Sequence, residues 1–216
     1  MIKKFNDFLV EGQTSLTPAQ IEWLDEYCLM NWPDKRTWRV NPSTGLVDID
    51  GDFDCTGKNL KNFNGLRFGE VRGSFNLSEN NFTSLEGSPQ EVEFGFYCRQ
   101  NLLTSLKGSP RKVGGDFQCG GNDLTSLQGA PEEVGGQFSS WGNKISSLKG
   151  VPIIKGHFRI GSTNPISSVI FPYEKEINDL DISSKNMVLQ MISQTDSPKN
   201  LDLEKIILAA KRMEIL

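Results

Sequence analysis

One histidine stands in 216 residues, and no two of the four cysteines lie closer than 21 positions apart. His157 has no Ser, Cys or Asp partner at a spacing that would suggest a triad, so the sequence offers no catalytic residue and the chain reads as a non-enzyme. No C-x-x-C pair occurs, which removes the usual cysteine-based metal site. Excess positive charge is missing too: 23 Lys and Arg against 27 Asp and Glu give a net charge of −4, which argues against nucleic acid as a partner. No apolar run approaches the roughly 20 residues of a membrane span. Near the start, Asn6 and Asp7 interrupt the apolar residues, and no small-residue cleavage site follows, so the segment is not a secretory leader. Nothing calls for a cofactor.

What the chain does have is a period. Phe53, Phe75, Phe96, Phe117, Phe138 and Phe158 are separated by 22, 21, 21, 21 and 20 residues. Two positions after each come Cys55, Leu77, Cys98, Cys119, Ser140 and Ile160. An asparagine follows each in turn: Asn59, Asn80, Asn101, Asn122, Asn143 and Asn164. Then come an apolar pair spaced by three, a Gly-x-Pro step and a closing aliphatic residue. Leu103, Leu106, Gly108, Pro110 and Val113 show the order.

The Phe-x-Cys step is a period-two signal, so it predicts a short strand with both residues on one face. Twenty-one residues cannot hold a strand, a crossover helix and two turns, and a Gly-x-Pro return cannot be helical. Each unit is therefore a coil: strand, turn and extended return. Stacked coils pair their strands in parallel about 4.8 Å apart and share a core that no single unit could bury. The asparagine at the strand end is placed to satisfy backbone groups of neighbouring coils. Cys55, Cys98 and Cys119 become core thiols. Cys98 and Cys119 fall in adjacent coils, but no disulfide framework is visible, and free thiols in a reducing cytosol are the simpler reading.

The pattern V-x-x-x-F-x-C-x-x-N-x-L-x-x-L resembles the leucine-rich repeat, with Phe and Cys at two leucine positions and a one-residue departure before the Phe. The LTSL run and proline return are similar to the short repeats of secreted bacterial effectors. The resemblance covers about Val47 to Val169. It implies an α+β solenoid of right-handed coils, with a parallel sheet of about six short strands on the concave side. It also implies binding, without naming a partner.

Four segments follow: a peptide over 1–13, a helical cap over 14–46, the solenoid over 47–171 and a C-terminal helical cap over 172–216. In the first, MIKKFNDFLVEGQ places Phe5, Phe8 and Leu9 at helical spacing. It is similar to the capsid-targeting peptides of T-even-type phage internal head proteins. That resemblance implies cleavage after Leu9-Val10-Glu11, leaving Gly12 as the new start. The triplet also occurs at Leu24-Asp25-Glu26 and Leu77-Ser78-Glu79, so its terminal position carries the reading. Thr17, Pro18 and the Ile21, Leu24, Cys28 face predict a helix over 17–30, which with Trp32, Pro33 and Trp38 would cover the first coil. The block WRVNPSTGLVDIDGDFDCTG resembles the opening of repeat proteins of large tailed phages. Within it Asp48, Asp50, Asp52 and Asp54 alternate with apolar residues, which predicts four carboxylates on one strand face. The glycine is misplaced for a calcium loop, and no metal site is expected. Beyond Ile170 the repeat fails; Met187, Val188, Met191 and Ile192 predict one helix, and Ile206, Ile207, Ala210 and Met213 another, capped near Asn200 or Asp202.

Residues beside each Phe should face outward. The early coils offer Asp52, Asp54, Ser74 and Asn76. The later coils offer Tyr97, Arg99, Asp116, Gln118, Gln137, Trp141, His157 and Arg159, a set richer in the residue types that dominate protein interfaces. Trp141 has Ser78, Arg99 and Gly120 as its counterparts; it is either a contact residue or a cover over its own coil. The expected function is a protein–protein interaction module of phage origin that acts on a host protein in the bacterial cytoplasm, as an inhibitor or decoy. The other reading is a packaged protein of the virion interior, processed after Glu11. The partner is a host or phage protein, with no membrane role.

Overall fold

The computed structural model describes residues 16–28, 37–196 and 198–214. The peptide over 1–13 with Glu11 and Gly12, and Trp32 and Pro33 of the expected cap, lie outside the described residues. The architecture is an α+β parallel β-solenoid with helices at both ends.

Helix α1 (Pro18–Tyr27) begins as the sequence requires. Thr17 accepts from the Gln20 N–H at 3.3 Å, and the Gln20 side chain accepts from the Thr17 N–H at 3.0 Å, a reciprocal cap with Pro18 in the first turn. It stops at Tyr27, three residues before the expected end. The reason is pairing: Cys28 turns extended and makes an antiparallel bridge with Phe53 of the first coil. Leu24 and Tyr27 are buried, and the Trp23 ring lies 5.5 Å from that of Phe53. Strand β1 (Trp38–Val40) turns back through 41–46 and pairs antiparallel with β2 (Val47–Ile49).

Each coil contributes two strands, not one. After β2 come β3 (Phe53–Asp54), β4 (Phe68–Val71), β5 (Phe75–Asn76), β6 (Glu91–Val92), β7 (Phe96–Tyr97), β8 (Lys112–Val113), β9 (Phe117–Gln118), β10 (Glu133–Val134), β11 (Phe138–Ser139), β12 (Ile153–Ile154) and β13 (Phe158–Arg159). The odd strands from β3 to β13 form the expected six-stranded parallel sheet, with all six Phe residues in register. The even strands, joined by β1 at one edge, form a second, seven-stranded sheet. The closing aliphatic residues pair there: Ile49, Val71, Val92, Val113, Val134 and Ile154 are aligned. The extended return expected from the sequence thus contains a strand. The corner between the sheets needs glycine because coils approach closely. A Cβ on Gly135 would stand 2.0 Å from the Gly114 carbonyl oxygen, and one on Gly114 2.1 Å from that of Glu93.

Two internal columns hold the stack. The Phe rings lie nearly parallel, with centroids 4.4 to 6.3 Å apart from Phe53 to Phe158. Beside them runs an asparagine ladder. Asn122 donates to the carbonyls of Cys98 (3.0 Å), Cys119 (3.0 Å) and Gly120 (3.4 Å), and accepts from the Leu103 N–H at 3.0 Å. Asn80, Asn101 and Asn143 repeat this geometry, and Asn164 closes the row with contacts to Ser140 and Ile160. Asn59 stands outside the ladder, exposed and at φ 58°, because no earlier coil lies beneath it. All four thiols are buried and free; burial pushes Cys28 and Cys55 up to about 12, and Cys98 and Cys119 upward as well.

The far end is closed by α2 (Ser167–Ile170), α3 (Glu174–Asn178), α4 (Ile182–Ser193) and α5 (Leu203–Met213). Asp181 and Asp202 cap the two longer helices. Side chains of α3 and α4 take the place of the missing next coil. Asn178 binds both the N–H and the carbonyl of Phe158, at 2.7 and 2.8 Å. Asn186 does the same for Ile154, at 2.8 and 3.0 Å. Glu174 accepts from the Ile160 N–H, and Gln190 and Lys185 donate to Val151 and Gly156. An open edge of two sheets would otherwise template further pairing. No helix among the described residues is long and apolar enough to cross a membrane.

Candidate functional site

The expected acidic stripe does not exist as one face. Asp48 lies in β2, Asp54 in β3, and the chain turns a corner at Asp50 and Gly51 between them. The corner divides the carboxylates between two sheets, and backbone groups or arginines occupy them. Asp48 is buried, accepts from the Glu70 N–H at 3.1 Å and pairs with Arg39 at 3.6 Å. Asp50 pairs with Arg72 at 3.5 Å. Asp52 accepts from the Ser74 N–H at 2.6 Å, and Asp54 from the Thr56 N–H and hydroxyl at 2.8 and 2.6 Å. Among the described residues no three His, Cys, Asp or Glu side chains are grouped to hold a metal ion.

The other expected residues do share a face, the outer side of the six-stranded sheet. Each Phe points inward, so its neighbours point outward in three columns. Before the Phe run Asp52, Ser74, Gly95, Asp116, Gln137 and His157; after it run Asp54, Asn76, Tyr97, Gln118, Ser139 and Arg159. The third column holds Thr56, Ser78, Arg99, Gly120, Trp141 and Gly161. Part of this face serves the fold: the Asp116 carboxylate accepts from the Gln137 N–H at 2.8 Å, as Asp52 does from Ser74.

Two aromatic rings lie down on this face, each in a notch left by glycine. A Cβ on Gly95 would meet the Tyr97 hydroxyl at 2.2 Å, so the phenol covers Gly95, within reach of the Ser74 hydroxyl. Partial burial, reinforced by Asp116, raises the Tyr97 phenol above its ordinary value. A Cβ on Gly120 would stand 2.7 to 2.9 Å from three indole atoms of Trp141. The sequence offered a cover over its own coil, but the ring lies one coil further back. The indole covers the preceding coil, and 43% of the residue is still exposed.

The charged members differ in how they are held. Arg159 donates through Nε to the Gln137 amide oxygen at 3.2 Å and meets no carboxylate among the described residues. Arg99 is half-buried; its Nε is enclosed and has no hydrogen-bond partner. His157 is exposed at the end of the first column, and Gln118 is half-buried between Tyr97 and Ser139.

Two features escaped the sequence reading. The outer side of the second sheet was invisible because that sheet was not expected. Met187 and Met191, grouped in the sequence with Val188 and Ile192 to predict α4, are exposed, while Val188, Leu189 and Ile192 are buried. Spacing by four gave both faces the same apolar signal. Compared with protein-family models, with curated proteins and with solved structures, the chain matches none.

Proposed function

We propose that the chain is a non-enzymatic protein-binding module and that the outer side of the six-stranded sheet is its contact surface. The observation that carries this reading is Trp141: a large ring fixed in a glycine notch, preorganised, and still open to solvent. Tyr97, Arg99 and Arg159 stand on the same face, and Trp, Tyr and Arg are the residue types that concentrate binding energy in protein interfaces. A ring already held in place loses little conformational freedom on contact. The four thiols are buried with raised pKa values, which suits packing and not nucleophilic work.

The setting follows the resemblance to repeat proteins of tailed phages: a target in the bacterial host cytoplasm, occupied as by an inhibitor or decoy. Affinity capture from host lysate tests it, comparing wild type with Tyr97→Ala/Trp141→Ala/Arg159→Ala after a thermal melt has shown the variant folded. A protein held by wild type and lost by the variant supports the reading; equal capture by both removes the face from it. Leu9-Val10-Glu11 favours the second reading, a packaged virion protein. Mass spectrometry of virions would then find a chain that starts at Gly12.

A further inference from the structure

The arginines of this face differ from most cations of the other sheet in one respect. On or beside the seven-stranded sheet all the cations but Arg67 have a carboxylate among the described residues: Arg39 with Asp48 (3.6 Å), Arg72 with Asp50 (3.5 Å), Arg111 with Glu91 and Glu132, Lys112 with Glu133 (3.8 Å) and Lys155 with Glu133 (2.8 Å). Among the described residues Arg99 and Arg159 form no ion pair, and they bracket Trp141 along the stack. The nearby carboxylates are committed elsewhere: Asp116 caps the Gln137 N–H, and Asp52 and Asp54 cap backbone at the opposite end.

Resting on the protein-binding reading above, we infer that the partner presents an extended acidic segment to this face. Its two carboxylates would meet Arg99 and Arg159, and an apolar side chain between them would lie on the Trp141 indole. The geometry sets the spacing. Arg99 is in the third column of the third coil and Arg159 in the second column of the sixth, three strand spacings along the stack and two residues across it, or about 16 Å apart. An extended chain advances about 3.3 Å per residue, so carboxylates about four residues apart on one side of the segment reach both guanidiniums. The residue midway faces the same side and falls over Gly120, where the indole lies. A guanidinium suits this task because it presents donors in a fixed fork that matches a carboxylate.

The test is selection from a displayed library of random ten-residue peptides on immobilised full-length protein, read by sequencing. Wild type should enrich segments of the form acidic-x-apolar-x-acidic. Arg99→Glu/Arg159→Glu should abolish that enrichment, by about tenfold per arginine as expected for a charge-assisted contact, and should select Lys- and Arg-bearing peptides instead. Thermal melts of Arg99→Gln and Arg159→Gln confirm that the side chains are not needed for folding; these neutral variants should lose acidic peptides without gaining basic ones. Enrichment without acidic residues that still requires Trp141 overturns the acidic segment and leaves the binding face standing. Acidic enrichment that persists in the charge-reversed protein also overturns it. No enrichment, together with equal lysate capture by wild type and the triple variant, removes both.

Discussion

The two sheets of one solenoid treat their outer sides in opposite ways. The seven-stranded sheet carries Glu70, Glu91, Lys112 and Glu133 in one register row, and most of its cations, Arg67 excepted, are neutralised by neighbouring carboxylates. The six-stranded sheet carries small and uncharged residues, three carboxylates that cap backbone, two flattened aromatic rings and two arginines with no ion pair among the described residues. A face whose charges satisfy one another has little left to offer a partner. A face with a fixed aromatic ring and open guanidiniums has what an interface uses. The inner sides differ too. The six-stranded sheet supplies the Phe stack and lies beside the Asn ladder, whereas the other contributes a single column of Val and Ile.

The inner difference can be broken by one pair of substitutions in one coil. Phe117 and Val113 are both fully buried, on the two sheets of that coil. Phe117→Ala opens a void between rings 5.5 Å away on either side and should cost about 3–5 kcal/mol. Val113→Ala removes two methyl groups and should cost about 2 kcal/mol. Urea unfolding of the two variants measures both. Equal losses would mean that the Phe column is no more central than the Val column.

How far the sequence carried these distinctions depends on chemistry. The Phe and Asn columns were legible because a buried ring and a buried amide each need a specific partner in the next coil, which imposes identity at a fixed period. The second sheet was not legible. Its strands are two residues long, and one inward Val per coil, at Val92, Val113 and Val134, gives no alternation to read. The same shortness misled the reading of Asp48 to Asp54, where alternation continued through a corner and simulated one strand. At the site, the outward positions of Tyr97, Arg99 and Trp141 followed from the Phe register. The notches at Gly95 and Gly120 did not, because they depend on which way a ring lies across the neighbouring residue.

A smaller effect sharpens the view of the six-stranded side. In the column that holds Cys55, Leu77, Cys98 and Cys119, the fifth position is Ser140. It is fully buried, and its hydroxyl has no hydrogen-bond partner. A buried hydroxyl left unpaired is a penalty that a thiol in the same place avoids. Ser140→Cys should therefore stabilise the protein by about 1–2 kcal/mol, a rise in Tm of a few degrees for a chain of this length. Scanning calorimetry in reductant reads it. A fall in Tm would show that this end of the column is too tight for sulfur.

The smallest expected effect lies on the other sheet. Glu133 accepts from Lys155 at 2.8 Å and has Lys112 at 3.8 Å, and the Lys155 hydrogen bond holds its carboxyl below the usual range. A depressed carboxylate adds stability above its unfolded pKa and loses it as pH falls through the folded value. Any difference between wild type and Glu133→Gln is therefore full above about pH 4 and fades as pH falls below it. The carboxylate is half-buried at the surface and both lysines are exposed, so solvent and salt screen the pair. At pH 7 and physiological salt the two proteins should melt together, and peptide selection by the six-stranded face should be unchanged. A separation in Tm that persisted in 1 M salt would break the comparison. The ion-pair row would then hold the coils together, and its neutrality would no longer mark an idle surface.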